Sequence, residues 1–331
     1  MLTTAPLISV VMPVYNALAF LPQALDSIIA QTFDDFECLM LDDESTDGSL
    51  SILEKYASND VRMKTIRRKH TGHTYAMNEG LALARGSLIA IMHADDICLP
   101  QRFQRQLLFL NAHPDCVAAG ATAVIMDADG DHVGTMVAPL DHATIDAGQM
   151  TGIGGQIPHP SVMFRRQAVL AVGGYRPDFE PAEDLDLFLR LAEVGKLANL
   201  PEVLLKYRLH TSNASVRRTN EQLRNSWRAV REACQRRKLP IPAERVFEGA
   251  TQSVIDQRKS FVRSAIESGY LKSARKHALW VVTKQPWCGS TWRLLFRAFT
   301  GMRAATAFRI ARKLGLIHHR AEGGPNRPTS S

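Results

Sequence analysis

The sequence lacks the cysteine pattern of a disulfide-stabilised or zinc-binding protein. Its 331 residues contain five cysteines, an odd number without any CxxC pair: Cys38, Cys98, Cys116, Cys234 and Cys288. Disulfide frameworks and structural zinc sites both need cysteines at close, regular spacing. We therefore expect reduced thiols in a cytosolic protein.

Long apolar runs, a signal region and two common nucleotide-binding motifs are also missing. No apolar run approaches the ~20 residues that cross a bilayer, and the first residues lead into a strand pattern without the features of a signal peptide. These absences predict a cytoplasmic location. No Gly-x-Gly-x-x-Gly follows the first strand and no P-loop Gly-Lys-Ser/Thr occurs, which disfavours a simple dehydrogenase and a P-loop enzyme. The glycines at 152–155 do not join a strand to a helix, so we interpret them as a flexible loop.

Charge is distributed unevenly along the chain. Residues 1–215 hold 16 Lys and Arg against 26 Asp and Glu, whereas residues 216–331 hold 24 against 7. The apolar content of 45% is enough for one large domain with an appendage. The charge change predicts a boundary near residue 215 and an anionic partner for the second part.

Four strand patterns alternate with helical patterns in the first hundred residues. We predict strands at Leu7 to Val14, Phe36 to Leu41, Val61 to Ile66 and from Leu88 onward, and a third helix at about Thr74 to Ala84. The order β-α-β-α-β-α-β implies a parallel sheet with right-handed crossovers.

Polar side chains follow three of these strands where each strand ends. The first strand is followed by Tyr15-Asn16, the second by Asp42-Asp43 and the fourth by Asp95-Asp96. In open α/β sheets ligands bind beyond the carboxyl ends of the strands, and divalent cations prefer oxygen ligands. The two acid pairs therefore predict a site for a nucleotide and a metal ion. The alternative is that the acids only cap the helices that follow.

The same stretches resemble motifs of family 2 glycosyltransferases. The three amino-terminal motifs of that family are matched by Pro13-Val14-Tyr15-Asn16, Leu41-Asp42-Asp43-Glu44-Ser45-Thr46-Asp47 and Met92-His93-Ala94-Asp95-Asp96. Further similar segments are Asn78-Glu79-Gly80, His159 to Arg166, Gly173-Gly174-Tyr175, Glu183 to Leu187 and Tyr207 to His210. The resemblance covers about residues 7 to 212.

This resemblance implies an α/β protein of the GT-A fold with a mostly parallel central sheet, followed by an α-helical C-terminal extension. It implies an inverting, metal-dependent enzyme that moves a sugar from a nucleotide-diphosphate donor to a hydroxyl of a glycan or lipid-linked acceptor, in bacterial polysaccharide or lipopolysaccharide assembly. We predict a GT-A domain over residues 1–215, a basic helical extension over 216–316 and a disordered tail over 317–331.

The resemblance also assigns the site residues. The nucleotide-sugar-binding positions are Pro13, Tyr15, Asn16, Asp42, Asp43, His93, Ala94, Asp95, Asp96 and Arg208. The divalent cation, Mn²⁺ or Mg²⁺, falls on Asp95 and His210. Arg208 is expected to pair with phosphate oxygens. An acid in the plane of a uracil ring can accept its N–H, which favours UDP.

His93 departs from the family pattern, which often has an aspartate at this position. An imidazole binds Mn²⁺ but suits a hard cation less well than a carboxylate. The alternative is that His93 contacts only the ribose or the sugar of the donor, and both interpretations stay open.

Asp184 is the predicted general base. Inversion by one displacement needs a base that takes the proton from the acceptor hydroxyl, and Asp184 falls on the position that this base has in the family. Neighbouring acids at Glu183 and Asp186 are expected to raise its pKa. The alternative is that the acids only stabilise the N-terminus of a helix, by ~0.3–1 kcal/mol.

The C-terminal part combines cations with Trp280, Trp287, Trp292, Phe296 and Phe299. Its helices either pack as a bundle on the catalytic domain or present a basic aromatic face to an anionic membrane surface, on the inner face of the cytoplasmic membrane. Nucleic acid is disfavoured as a partner because no helix-turn-helix, zinc or RNP-type pattern occurs.

Two other functions fit the sequence less well. Nucleotidyl transfer to a sugar phosphate uses the same type of fold but usually shows a Gly-rich loop with Arg and Lys after the first strand, which this chain lacks. A non-catalytic nucleotide-sugar-binding protein would explain His93 as a lost ligand. The presence of Asp95, Asp184 and His210 argues against that function.

Overall fold

A computed structural model of the chain describes residues 5–210, 213, 219–242 and 253–301. It divides into two compact units, residues 1–254 and 255–331. The boundary predicted near residue 215 and the tail predicted to be disordered over 317–331 both lie outside the described residues. The described helix that follows that boundary belongs to the first unit.

Within the described residues we number nine strands and eleven α-helices in chain order. Strands β1 to β9 are Ile8–Val14, Phe36–Asp42, Met63–Arg67, Leu88–Ile91, Ile97–Cys98, Cys116–Met126, His132–Met136, Met163–Arg165 and Lys196–Arg208. Helices α1 to α11 are Leu21–Ile29, Ser49–Asn59, His73–Leu83, Arg102–Ala112, His142–Gln149, Arg166–Ala171, Glu183–Leu191, Thr219–Arg236, Val254–Glu267, Leu271–Lys284 and Gly289–Thr300.

One nine-stranded sheet forms the centre of the first unit. Its strands run in the order β3-β2-β1-β4-β8-β6-β9-β5, and β7 pairs with β6. The four strands predicted from the sequence lie side by side and parallel, whereas β8 joins β4 to β6 in antiparallel orientation. The predicted α/β architecture is therefore confirmed.

Alternate side chains of β1 enter two different cores. Ile8, Val10 and Met12 pack into one hydrophobic cluster and Val11 into a second, and all seven residues of the strand are buried. Side chains of a strand point to opposite faces in turn, so a continuous apolar run is what a sheet covered on both faces requires.

The third strand starts later than its apolar pattern indicates. Val61 was predicted in the strand, but β3 begins at Met63 and Val61 is 93% exposed. The Asp60 carboxylate accepts a hydrogen bond from the backbone N–H of Arg62 at 2.9 Å. This local turn directs Val61 outward, because an Asp side chain that bonds the backbone two residues ahead stabilises a turn.

The helix α8, Thr219–Arg236, completes the first unit. Trp227, Val230 and Ala233 of this helix share a hydrophobic cluster with Leu185 and Leu189 of α7. The apolar packing explains why a helix with a basic surface remains with the sheet domain.

The second unit begins within α9 and contains α10 and α11. Its core is small and formed by short aliphatic side chains, which include Val262, Ala265, Ala278, Leu294 and Ala298. Among the described helices, none combines the length and the apolar composition that a bilayer-spanning segment needs.

Candidate active site

A cleft of about 1190 Å³ opens at the carboxyl ends of β1, β2 and β4. Nine predicted site residues line it: Pro13, Tyr15, Asn16, Asp43, His93, Ala94, Asp95, Asp184 and His210. The other three, Asp42, Asp96 and Arg208, are nearly fully buried beside it and do not line it. Strand ends that are distant in sequence thus meet as expected for a parallel sheet.

The end of β1 is a tight turn that exposes an aromatic ring. Asn16 has a φ of 48°, in the left-handed region that Asn tolerates. Its side-chain Oδ1 accepts a hydrogen bond from the backbone N–H of Thr46 at 2.8 Å. The preceding Tyr15 is half exposed and stacks on the imidazole of His70, with ring centroids 4.4 Å apart.

The Asp43 carboxylate is engaged by the segment after β3. One oxygen accepts from the Arg68 guanidinium and from the N–H of Thr71 at 3.2 Å. The other accepts from the N–H of Gly72 at 3.1 Å and lies 2.8 Å from Nδ1 of His70, whose hydrogen bond is with the backbone carbonyl of Asp43 at 3.1 Å. A carboxylate has about four acceptor positions, so three of them hold the segment 68–72 and the imidazole of His70 lies against the oxygen that has one left.

Asp95 and Asp96 share the end of β4 but differ in environment. Burial opposes ionisation of Asp95, but the hydrogen bond from His210 and the nearby His93 outweigh it and lower the pKa. Burial, followed by the charge of Asp95, raises the pKa of Asp96 well above its usual range. Oδ1 of Asp96 accepts the backbone N–H of Arg208 at 2.7 Å, while its buried Oδ2 has no hydrogen-bond partner among the residues that the structure describes.

His93, Asp95 and Asp96 form a group that suits a divalent cation. Each offers one ligand atom, and these atoms lie within 4.8 Å of one another. A buried carboxylate oxygen without a partner is unfavourable unless a cation or donor reaches it. The donor set and the unpaired oxygen of Asp96 therefore fit a bound cation.

His210, the second predicted metal ligand, contacts this group through a hydrogen bond. Its Nε2 lies 2.9 Å from Oδ2 of Asp95, and the amide of Asn213 donates to the same oxygen at 3.2 Å. His210 therefore orients the Asp95 carboxylate in the structure.

Arg208 turns away from the cleft. Its guanidinium donates to the carbonyls of Asp95 at 2.8 Å and Ala128 at 3.0 Å, and to the side chain of Gln23 at 2.7 Å. It also lies over the ring of Phe20 at 4.6 Å. These contacts make Arg208 a support for the turn that carries the two acids.

Asp184 lies at the N-terminus of α7 and faces the cleft. Its Oδ1 accepts the N–H of Leu185 at 2.7 Å. The pKa of Asp184 is raised, and burial is the main cause rather than the neighbouring acids that the sequence suggested. Asp186, two residues on, is paired with Arg176 and Arg190 in the interior and has a structural role.

Several lining residues were missed by the sequence analysis. His73, His159 and Glu180 face the cleft, as do Gln222 and the other two lining residues of α8, Leu223 and Ser226. The motif that contains His159 was recognised without a role for the imidazole. The α8 residues follow the charge boundary, and no local pattern marks them as part of a site.

Comparison with known proteins decides the family. The family model for "Glycosyl transferase family 2" matches residues 9–170. The chain is 32% identical over 245 residues to the putative glycosyltransferase EpsE of Bacillus subtilis, an alignment that spans 72% of this chain and 86% of EpsE. The chain belongs to glycosyltransferase family 2. The predicted family and enzyme class are confirmed.

Two further proteins place this family 2 glycosyltransferase among its relatives. It is 30% identical to the amylovoran biosynthesis glycosyltransferase AmsE of Erwinia amylovora, over 60% of this chain and 74% of AmsE. The mannosyltransferase PcManGT from Pyrobaculum calidifontis, solved with GDP-Man and Mn²⁺, matches with a TM-score of 0.51 and 17% identity, over 95% of this chain and 81% of that one. The likeness confirms the predicted GT-A fold.

Proposed function

We propose that this glycosyltransferase moves a sugar from a nucleotide-diphosphate donor to an acceptor hydroxyl, with inversion and with the help of a divalent cation. The observation that carries the proposal is that one cleft is lined both by His93 and Asp95, with Asp96 buried beside them, and by the carboxylate of Asp184. Inverting transfer needs these two chemical elements, one for the leaving group and one for the nucleophile.

Each residue of the site would have a separate role in the transfer. His93, Asp95 and Asp96 would hold the cation, whose positive charge would neutralise the diphosphate of the donor. His210 keeps the Asp95 carboxylate in position. Asp184 would accept the proton of the acceptor hydroxyl, and its raised pKa improves its strength as a base near neutral pH.

The donor base would bind near the turn of Tyr15 and Asn16, beside Asp42 and Asp43. UDP is the nucleotide predicted from the sequence, and the identity of the base stays a prediction. His70 lies against the remaining acceptor position of the Asp43 carboxylate, so a uracil N–H could bond there only after His70 moves away. The exposed ring of Tyr15 accepts any base by stacking, so a panel of nucleotides is needed.

The acceptor is proposed to be a glycan or a lipid-linked glycan in bacterial polysaccharide assembly. The name of AmsE assigns that relative to amylovoran biosynthesis. For a lipid-linked acceptor the enzyme would work at the inner face of the cytoplasmic membrane.

Helix α11 supplies a surface for such a membrane contact. Trp292, Phe296 and Phe299 are 51%, 61% and 52% exposed and recur at helical spacing on one stripe. Arg293, also exposed, lies about 100° around the helix from Trp292. Residues 255–301 hold nine Lys and Arg against two Asp and Glu. Aromatic rings beside cations favour an anionic bilayer interface.

Vesicle flotation tests the membrane contact. The full chain should float with phosphatidylglycerol vesicles and not with phosphatidylcholine vesicles, and the double variant Trp292→Ser, Phe296→Ser should lose flotation. Val61→Ser, which removes an exposed apolar side chain of the first unit, is the matched control. Equal flotation of the double variant and the wild type would exclude α11 as the contact.

Thermal unfolding and transfer assays test the catalytic proposal together. We expect UDP, GDP, dTDP or CMP to stabilise the protein only when Mn²⁺ is present, because a ligand at a hundred times its Kd adds ~2.7 kcal/mol. Asp184→Asn should keep this stabilisation and lose glycosyl transfer, whereas the exposed Asp178→Asn should keep both. Transfer by Asp184→Asn near the wild-type rate would refute the base assignment. No stabilisation by any nucleotide would refute the proposed nucleotide site.

A further inference from the structure

Three elements of the first unit meet at the end of the cleft that holds the carboxylate of Asp184. Asp184 itself lies at the N-terminus of α7. The loop 152–155 brings Ile153 to the lining of the cleft. Helix α8 contributes three side chains to the same lining: Gln222, Leu223 and Ser226.

Two contacts hold the first part of α8 beside Asp184. The side-chain amide of Asn225 donates a hydrogen bond to the backbone carbonyl of Glu180 at 2.8 Å. Leu185, the residue after Asp184, shares a hydrophobic cluster with Trp227 of α8. Because both contacts come from residues next to those that line the cleft, the lining side chains of α8 are fixed at the Asp184 end.

The loop 152–155 rests on α8 at one end and is open at the other. A Cβ on Gly152 would lie 3.7 Å from side-chain atoms of Trp227 and of Val230, whereas a Cβ on Gly154 or Gly155 would meet nothing within 4 Å. Ile153 lines the cleft and is nevertheless 63% exposed. A ligand that this side chain covers would remove apolar surface from water.

The proposed transfer requires the acceptor to bind at this end of the cleft. The acceptor oxygen bonds to the anomeric carbon while the bond from that carbon to the diphosphate breaks, and the proton of the acceptor hydroxyl passes to Asp184. The acceptor sugar must therefore lie within hydrogen-bond reach of Asp184. Side chains of α8 and of the loop 152–155 are placed to surround the rest of that sugar.

The chemistry of these side chains suits an uncharged sugar ring. The amide of Gln222 and the hydroxyl of Ser226 both donate and accept hydrogen bonds, as sugar hydroxyls do, and Ile153 offers an apolar surface to the C–H face of a pyranose. Among the described residues that line the cleft there is no lysine and no arginine. An anionic sugar would meet the ionised carboxylate of Asp184 without such a cation, and like charges repel.

We propose that Ile153, Gln222 and Ser226 are specificity-determining residues that form an acceptor subsite for an uncharged pyranose. The inference rests on the proposed function, whose acceptor it describes more closely. The family model matches residues 9–170, so α8 lies beyond the matched part. Selection of the acceptor by α8 is therefore a property of this chain and does not follow from the family motifs.

Transfer kinetics with simple glycosides test the subsite. The probes are the methyl α- and β-glycosides of glucose, galactose and mannose, together with the matching methyl uronides. They are offered to the full chain with Mn²⁺ and with sugar derivatives of the nucleotide that stabilises it best. We expect at least one uncharged glycoside to be glycosylated, and its uronide to have a kcat/KM lower by about tenfold or more, because like charges would be brought together.

Substitutions in α8 and in the loop separate acceptor binding from donor binding. Gln222→Ala should raise the KM for the acceptor about fivefold, since it removes hydrogen bonds to neutral groups. Ile153→Ser should raise it similarly, and Ile153→Leu should stay near the wild type. The Kd of the nucleotide with Mn²⁺ should not change in these variants. Gln235→Ala, which truncates an exposed glutamine of the same helix, is the matched control and should leave the acceptor KM unchanged.

The outcomes separate this inference from the proposed function. A wild type that binds no nucleotide in a metal-dependent way would refute the proposed function itself. A wild type that binds nucleotide with the metal, but glycosylates no uncharged glycoside or uses the uronide equally well, would overturn only the inference. An acceptor KM that is unchanged in both Gln222→Ala and Ile153→Ser would also overturn it. So would a rise in KM that is matched by the rise in the nucleotide Kd, because Gln222 would then contact the donor.

Discussion

Glu37 is the acid whose removal should destabilise the sheet most clearly. It lies on β2, 2% exposed, and accepts hydrogen bonds from Ser9 at 2.8 Å, Lys64 at 2.6 Å and the guanidinium of Arg85 at 2.9 Å. These partners come from β1, β3 and the loop before β4. Glu37→Gln keeps the shape and removes the charge, which leaves two cations without their anion.

The loss of stability expected for Glu37→Gln follows from the pKa of the Glu37 carboxyl. Burial opposes its ionisation, but the bonds from Lys64 and Arg85 prevail and lower the pKa from 4.5 to about 2. One pKa unit corresponds to ~1.4 kcal/mol, so the shift sets an upper limit of ~3.5 kcal/mol. Lys64 and Arg85 are 40% and 46% exposed, and solvent screening reduces the expected value to roughly 2 kcal/mol.

The stabilisation by the Glu37 carboxylate depends on pH in a defined direction. Because the folded pKa is lowered, the stabilisation is complete above the unfolded value of 4.5 and is lost as the pH falls toward about 2. Urea unfolding at pH 7 should show Glu37→Gln to be less stable than the wild type by roughly 2 kcal/mol. This difference in unfolding free energy should become smaller as the pH falls from 4.5 to 3. The control is Glu54→Gln, which removes an exposed pair with Arg67 and should cost less than ~1 kcal/mol. A loss of unfolding free energy in Glu37→Gln that is no larger than the loss in Glu54→Gln, or that does not change with pH, would refute this reasoning.

Three other predictions concern the cleft and its support. His70→Ala should tighten nucleotide binding about fivefold in a titration, because it uncovers one carboxylate oxygen of Asp43 and one face of the Tyr15 ring. Weaker binding would instead make His70 part of the base site. Gly80→Ala should lower the free energy of unfolding by ~1–3 kcal/mol, since a Cβ would lie 2.4 Å from Cγ1 of Val11. Gly154→Ala, which meets nothing within 4 Å, should leave the unfolding midpoint unchanged. A chelator should abolish the stabilisation by nucleotide and Mn²⁺ should restore it; persistence in the chelator would refute metal dependence.

Local sequence patterns determined the first half of the sheet and the location of the cleft. The apolar run of β1 and the acids that follow β2 and β4 are visible in short windows, and parallel strands bring their carboxyl ends to one edge. The start of β3 was placed two residues too early, because the apolar Val61 resembles a strand residue while the Asp60 turn directs it outward.

The hydrogen-bond partners of the polar side chains at the site were decided by the tertiary structure. Asp43 was expected to meet a base, yet the segment 68–72 occupies its oxygens. Arg208 was expected to meet phosphate, yet it faces inward. Both outcomes depend on partners more than 20 residues away, which no local pattern specifies.

The sequence by itself indicated the family, the alternation of strands and helices in the first half and nine of the residues that line the cleft, because strand periodicity and motif spacing are local properties. The tertiary structure alone brought α8 to the cleft and connected His93 to His159 and Tyr175. Hydrogen bonds between distant residues form only after the sheet and helices have packed. The number of bonds that an acid or imidazole has left for a ligand is therefore a property of the folded chain.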